Sequence, residues 1–247
     1  MQNLSVVVIT FNEEANILRC INSVKGLADE ILVVDSQSTD RTVEISRNAG
    51  CRVIIHPFEG YGQQKQFGVD QANNDWILSI DADEEVTPEL KDEIKILLNA
   101  DIPNDGYNIA ITLLYMGKIL RNTGNNYLRL FNRTKGKFRF VKVHEKVDLE
   151  GSVGRLKSKI LHYSYRDLAH HLQKINTYTT QAAEGYTEKG RRFSKPWVAF
   201  KFPITFFVYY FIRLGILDGY PGFLWAFFAA FYGSIKVAKT IEIQEKK

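Results

Sequence analysis

The chain has little to staple it, carry it out of the cell or bind it to a polyanion. Its 247 residues include two cysteines, Cys20 and Cys51. Their spacing suits no metal site and two are too few for a disulfide framework, so they read as small buried residues of a reducing compartment. Basic residues number 32 and acidic ones 28, a net charge of +4. That is too balanced for a nucleic-acid binder without a local patch. The N-terminus shows no basic stretch followed by an apolar core and a cleavage site, so no secretory signal is expected. No unbroken apolar run reaches the roughly 18 residues of a bilayer span. There is no internal repeat and no low-complexity segment. The composition, 24% charged and 45% hydrophobic, excludes disorder, collagen and coiled coil.

Strand and helix patterns alternate over the first hundred residues. Leu4–Thr10 and Glu30–Asp35 are apolar runs of the kind buried parallel strands need. Arg52–His56 and Trp76–Ile80 read as a third and a fourth strand. Between them, Ile17, Leu18, Ile21 and Val24 recur at helical spacing. Ser38, Thr39 and Asp40 are capping residues ahead of Val43–Ala49. Thr87 as cap and Pro88 at the first helical position open another helix, with Leu90, Ile94, Leu97 and Leu98 on its apolar face. The pattern implies an α/β fold with a mainly parallel sheet covered on both faces. Tyr107–Leu114, Tyr127–Asn132, Phe138–His144 and Val153–Lys159 read as an antiparallel or mixed extension. Asp167–Lys189 returns to helix, with a stripe of Leu168, Leu172, Ile175, Thr179, Ala182 and Tyr186. The expected domains are a catalytic one over 1–190 and a helical one over 191–247.

In such sheets ligands bind at the carboxyl ends of the strands. Thr10, Asp35, His56 and Asp81 all stand there. Asp81-Ala82-Asp83 is the sharpest local signal. Two carboxylates one residue apart past a buried strand can share Mg²⁺ or Mn²⁺ and neutralise a leaving diphosphate. The bland alternative is an acidic loop, with Glu84 and Glu85 favouring the next helix N-terminus. Asp35 can accept from a base N–H or a ribose hydroxyl, or can satisfy its own turn. Asp40 reads as a cap. His162, His170 and His171 read as structural or solvated.

Three segments in order carry a resemblance. Ser5–Glu14 (SVVVITFNEE), Val33–Thr42 (VVDSQSTDRT) and Asp81–Glu84 (DADE) resemble the family 2 glycosyltransferases. The block His56–Lys65 (HPFEGYGQQK), with Arg129-Leu130-Phe131 and His144-Glu145, resembles the lipopolysaccharide core β-glucosyltransferases of the WaaE/KdtX type. The resemblance implies a GT-A fold, a nucleotide-sugar donor such as a UDP-hexose, and transfer with inversion. It places Thr10, Asn12 and Glu13 near the nucleotide, and Asp35 on the uracil or ribose. It assigns Asp81 and Asp83 to the metal and diphosphate, with Asp81 also near the donor. Ser36 stands where many relatives have a second Asp, and Gln66 where they often have Asn. Lys65 is a candidate diphosphate partner, and Arg129 a holder of phosphate or acceptor. Inversion needs a base for the acceptor hydroxyl on the side opposite the diphosphate. Glu145 is the choice, with His144 as alternative base or as a metal or phosphate ligand.

Aromatic residues gather late, with 15 of the 31 between Trp197 and Tyr232. Phe202–Ile212 and Phe223–Ile235 are apolar runs, broken by Gly215, Gly219 and Gly222 and flanked by lysines and arginines. The expectation is two short helices lying in an anionic membrane interface. A packed appendage or an oligomer contact is the alternative. The implied enzyme moves a hexose such as glucose to a lipid-linked saccharide such as lipopolysaccharide core, peripheral on the cytoplasmic face of the inner membrane. The rivals are a polyprenyl-phosphate or exopolysaccharide sugar transferase, and a non-catalytic nucleotide-sugar binder or membrane scaffold.

Overall fold

The computed structural model describes residues 2–139 and 146–246. His144 and Glu145 lie outside the described residues. The chain divides into two compact units, residues 1–112 with 124–163, and residues 113–123 with 164–247.

The first unit opens with β1 (Leu4–Thr10), α1 (Ile17–Val24), β2 (Glu30–Asp35), α2 (Thr42–Asn48), β3 (Arg52–Ile55), α3 (Tyr61–Gln71) and β4 (Trp76–Asp81). β5 (Glu84–Val86) and α4 (Pro88–Asn99) follow, then β6 (Gly106–Tyr115), β7 (Lys118–Ile119), β8 (Asn125–Asn132), β9 (Gly136–Phe138), β10 (Val147–Leu149) and β11 (Val153–His162). One sheet runs in the order β3-β2-β1-β4-β8-β6-β11-β5. β1 pairs in parallel with β2 and β4, and β2 in parallel with β3. β8 then runs antiparallel to β4 and β6. The parallel core is as expected, and β6, β8 and β11 supply the antiparallel extension; the strand expected over Phe138–His144 falls largely outside the described residues, and β9, which ends at Phe138, pairs with β10 separately.

All seven residues of β1 are buried, because helices cover both faces of a parallel sheet and leave no polar side. One face packs Leu4, Val6 and Val8 against Ile17, Cys20, Ile21 and Val24 of α1. The other packs Val7, Ile9, Leu32 and Val34 with Val69 of α3. Leu18, expected on the apolar face of α1, is exposed; Cys20 takes its place in the core. In α4, Thr87 Oγ1 accepts from Leu90 N, and Pro88 opens the helix. At α2 the N-cap is Arg41 rather than the expected Asp40, which stands one position earlier and whose carboxylate accepts from the Thr42 N–H at 3.0 Å.

α3 can sit on the sheet because of Gly68. A Cβ there would overlap Val7 Cγ1 and stand 3.0 Å from Val34 Cγ2. This close approach places Lys65, one turn earlier, above the end of β4.

The second unit contains α5 (Leu168–Glu188), α6 (Lys195–Phe207), a π-helical turn (Val208–Ile212), a 3₁₀ turn (Gly215–Asp218) and α7 (Gly219–Glu245). It also holds the end of β6 with β7, a hairpin over 113–123. α5, expected with the first 190 residues, packs on α7 and belongs here by contact. Its buried residues are His171, Ile175, Thr179 and Ala183. Ile175 and Thr179 are buried as expected, but His171 and Ala183 take the places expected for Leu172 and Ala182, and Leu168 and Leu172 are exposed. The aromatic rings of Tyr115, Tyr165, Trp225 and Phe228 surround His171, whose Nδ1 lies 2.9 Å from the Tyr115 hydroxyl. That enclosure explains why a histidine outcompetes a leucine for the interior.

The two short helices expected at the C-terminus are corrected in one respect. α6 has 13 residues, but Phe223–Ile235 lies inside a continuous helix of 27 residues. The residues after Ile235 carry small and apolar side chains at helical spacing, and Val237 and Thr240 are buried. The packed face therefore continues although the aromatic run stops.

Candidate active site

Thr10, Asp35 and Asp81 end neighbouring parallel strands. Thr10 stands beside Asp35 in register, and Ile9 beside Asp81. The loops beyond are stitched to each other. Asn12 N donates to Ser38 Oγ and Asn12 Oδ1 accepts from Thr39 N, both at 2.8 Å. Asn12 holds φ at +53° to make both bonds. Glu13 N donates to Thr42 Oγ1 at 2.8 Å, and the Glu13 carboxylate accepts from Asn16 Nδ2 at 2.6 Å. Asp35 is fully buried, and its carboxylate accepts from the backbone and the hydroxyl of Ser38. Of the two readings kept for Asp35, the structure shows the turn bonds. Thr10 Oγ1 is buried with no hydrogen-bond partner among the described residues.

Asp81 is the centre of a charged network. Lys65 Nζ lies 3.0 Å from Asp81 Oδ1, and an Arg129 Nη lies 3.2 Å from Oδ2. The same Arg129 nitrogen reaches Glu84 Oε1 at 2.8 Å. Glu84 Oε2 accepts from the Asp81 backbone N–H at 2.8 Å. Lys65, Glu84 and Arg129 are all buried. Burial alone would raise the Asp81 carboxyl, but Lys65 and then Arg129 hold it well below the usual carboxylate range. Burial pushes Glu84 up to about 7, opposed by Arg129 and reinforced by Asp81. Two acids three positions apart are thereby driven in opposite directions: Arg129 touches both, and Lys65 adds a close contact with Asp81.

Asp83 points to a different partner. Its Oδ2 lies 3.1 Å from His162 Nε2. Burial pulls the imidazole down, but the bond to Asp83 and the nearby Glu84 and Asp81 outweigh it, so His162 is raised above its ordinary value. Lys65, Asp81, Glu84, Arg129 and His162 line a cleft of about 900 Å³, with Asn108, Asn126, Tyr127 and Phe138 on its walls.

Among the described residues no group of three or more His, Cys, Asp or Glu side chains stands ready to hold a metal ion. The donor set still fits a divalent cation. Asp81 is compensated by two side-chain cations, whereas Asp83 and His162 offer an oxygen and a nitrogen together. Mg²⁺ commonly takes one or two protein carboxylates and completes its shell from phosphates and water. Asp83 and His162 would hold the ion, with Asp81 beside them.

Sequence reasoning therefore brings together Lys65, Asp81, Asp83 and Arg129, and misses two residues. Glu84 reads locally as a helix-terminus acid, but it lies in β5 and braces Asp81 and Arg129. His162 reads as structural or solvated; instead it faces the cleft on Asp83. Nothing in the local sequence marks either: the pairing of β11 with β5 brings His162 to Asp83, and Arg129 reaches Glu84 from β8. Gln66 is occupied structurally. Its Oε1 accepts from Phe138 N at 2.7 Å and its Nε2 donates to Asp70 at 2.7 Å. Cys20 is a buried thiol, as expected, 3.6 Å from the Asp81 carbonyl oxygen.

A family model described as glycosyl transferase family 2 matches residues 5–147. An uncharacterized glycosyltransferase of Rickettsia typhi is 34% identical over 260 residues, covering 100% of this chain and 89% of its own. The lipopolysaccharide core biosynthesis glycosyltransferase LpsC of Rhizobium meliloti is 35% identical, covering 96% and 91%. Among solved structures, glucosyl-3-phosphoglycerate synthase of Mycobacterium tuberculosis matches at 26% identity. That match covers 47% of this chain and 45% of that one, with a TM-score of 0.36, too partial a likeness to carry an argument.

Proposed function

From the premise that the chain belongs to glycosyl transferase family 2 and is a glycosyltransferase, we propose that it moves a hexose from a nucleotide-sugar donor, with inversion, to a lipid-linked saccharide of the lipopolysaccharide core type. The observation that carries this reading is the Lys65–Asp81–Arg129 network at the end of β4, in one cleft with His162, which is bonded to Asp83. The full-length similarity to LpsC supports the acceptor class.

A diphosphate entering the cleft meets Lys65 and Arg129, buried cations that Asp81 holds in place. Preorganised charge of this kind stabilises a leaving diphosphate without reorganisation. When bound at Asp83 and His162, Mg²⁺ or Mn²⁺ would supply Lewis-acid neutralisation of the leaving phosphates. Thr10, Asn12, Glu13 and Asp35 border the same strand ends, where the nucleoside half of a UDP-hexose would lie. Glu145, with His144 as the alternative, is proposed to take the proton of the attacking acceptor hydroxyl.

The C-terminal unit is proposed to hold the enzyme on the cytoplasmic face of the inner membrane. Gly215–Glu245 is long and apolar enough to cross a bilayer by length and composition. An interfacial placement is favoured by what its far half touches. Lys239 Nζ donates to Asn176 O and Thr180 Oγ1 of α5, each at 2.8 Å. A helix so engaged by a polar partner is not facing acyl chains there.

The test is a panel of nucleotide sugars with Mn²⁺, followed by a lipid-linked core saccharide as acceptor. Nucleotide release from one donor, and a sugar transferred to the core lipid with inverted configuration, are the expected results. Transfer to polyprenyl phosphate alone would replace the acceptor assignment, and absence of turnover with every donor and metal would overturn the reading.

A further inference from the structure

We propose that the tip of the hairpin over residues 114–119 is a second lipid-contacting element, seated in an anionic headgroup layer beside the turn that joins α6 to α7. The proposal rests on the membrane reading above and deepens it, since that reading involves only the C-terminal helices.

The hairpin tip and the helical turn belong to one compact unit, and three bonds tie them. Arg121 N donates to Asp218 Oδ2 at 2.8 Å, Asn122 Nδ2 to Arg213 O at 3.1 Å, and Lys118 Nζ to Leu217 O at 3.4 Å. Asp218, the receiver of the first bond, is 1% exposed. The helical turn is itself tight, since a Cβ on Gly222 would overlap the Gly215 carbonyl oxygen. The two tips therefore present one fixed surface.

That surface is apolar where water would favour polar residues. Met116 and Ile119 on the hairpin, and Leu214, Ile216, Leu217 and Tyr220 on the turn, are all exposed. Two of them also hold left-handed backbone, Met116 at φ +50° and Leu214 at φ +60°. Asn, Asp or Gly fills such positions at little cost in a soluble turn, and a long apolar side chain does not. A side chain that inserts into lipid gives this choice a return that exposure to water does not.

Charge selects the occupant. Lys118, Arg121 and Arg213 flank the tips, and the only acid across 113–123 and 190–235 is Asp218, which is buried and paired with Arg121 at 3.6 Å, so that Lys118 and Arg213 leave the surface positive. A second copy would bring the same positive charge to the contact. An anionic lipid surface complements it, as basic residues around apolar insertions do at interfaces.

The experiment uses the full chain with vesicles of phosphatidylcholine, with and without phosphatidylglycerol. The double variant Met116→Asp, Ile119→Glu should lose partitioning onto anionic vesicles by at least about tenfold. Its metal-dependent donor hydrolysis without lipid, and its sedimentation, should match the parent. Independently, Met116→Cys in a Cys51→Ser background, labelled with a polarity-sensitive dye, should shift to the blue on anionic vesicles. It should not do so on neutral ones. Full partitioning of the double variant, or an unshifted dye while the parent floats, overturns the hairpin assignment and leaves the membrane reading standing. A parent chain that never floats overturns both. A double variant that loses self-association but keeps vesicle binding identifies a protein contact and also overturns the proposal.

Discussion

His162 Nε2 lies 3.1 Å from Asp83 Oδ2, although 79 positions separate them in the chain. The backbone repeats the contact, for Tyr163 N donates to the Asp83 carbonyl at 2.8 Å. β11 pairs antiparallel with β5, His162 opposite Glu84, so the last strand of the sheet delivers an imidazole to the acidic turn that follows β4. The arrangement separates two carboxylates that the Asp-x-Asp spacing leaves merged. Asp81 faces Lys65 and Arg129, and Asp83 faces His162, the pair proposed to hold the metal ion.

Asp83→Ala is expected to abolish transfer and remove Mn²⁺-dependent binding of the nucleotide diphosphate. His162→Asn should keep the fold and raise the Mn²⁺ needed for half-maximal turnover by roughly 10–100-fold, the size of effect seen when the surroundings of a metal site are disturbed. Metal titrations of initial rate measure both. Full activity of Asp83→Ala, or of the parent in excess chelator, would remove the metal from the mechanism.

Glu84 gives the site a pH signature. Burial raises its folded-state pKa to about 7 from an ordinary 4.5, so the native state holds this proton more tightly than the unfolded chain. The resulting stability is fully present below about 4.5 and is lost as pH rises through about 7. Thermal unfolding of the metal-free parent should show a falling midpoint between those limits. In Glu84→Gln, which cannot ionise, the fall should shrink; identical profiles would show that Glu84 is already charged at low pH.

Gly68→Ala tests the seat of α3. The added methyl meets Val7 and Val34, and overpacking of this kind costs typically about 1–3 kcal/mol. Relief by a shift of α3 would draw Lys65 from Asp81. Chemical denaturation should show the loss, and the KM for donor should rise with it. A second variant, Val7→Ala with Gly68→Ala, should recover part of both.

Glu145→Gln keeps shape and removes the proton acceptor. Turnover should fall by about 10²–10⁴-fold, the usual contribution of a general base, while donor affinity measured by calorimetry stays near that of the parent. Collapse of donor affinity with normal turnover of the bound enzyme would make Glu145 a donor ligand and move the search for the base to His144.

What could be read from the sequence was local. Leu4–Thr10, Glu30–Asp35 and Trp76–Ile80 declare themselves because a strand buried on both faces is predominantly apolar, and the residues that end such strands are then fixed in place. Thr87 and Pro88 mark α4 for equally local reasons, a side-chain acceptor and a preset φ. The ordering of three short motifs carried the family. Tertiary structure decided the rest. Glu84 looks like a solvated acid until β11 and Arg129 close over it, and His162 looks idle until strand pairing sets it on Asp83. On α5 Ile175 and Thr179 are buried as their spacing implies, but His171 replaces Leu172 inside because a ring of aromatic residues encloses it, which no periodicity records. α7 outran its aromatic run because helical packing needs only small or apolar residues on one face. Local patterns follow from short-range sterics and burial, whereas contacts between distant residues depend on which strands the sheet places side by side.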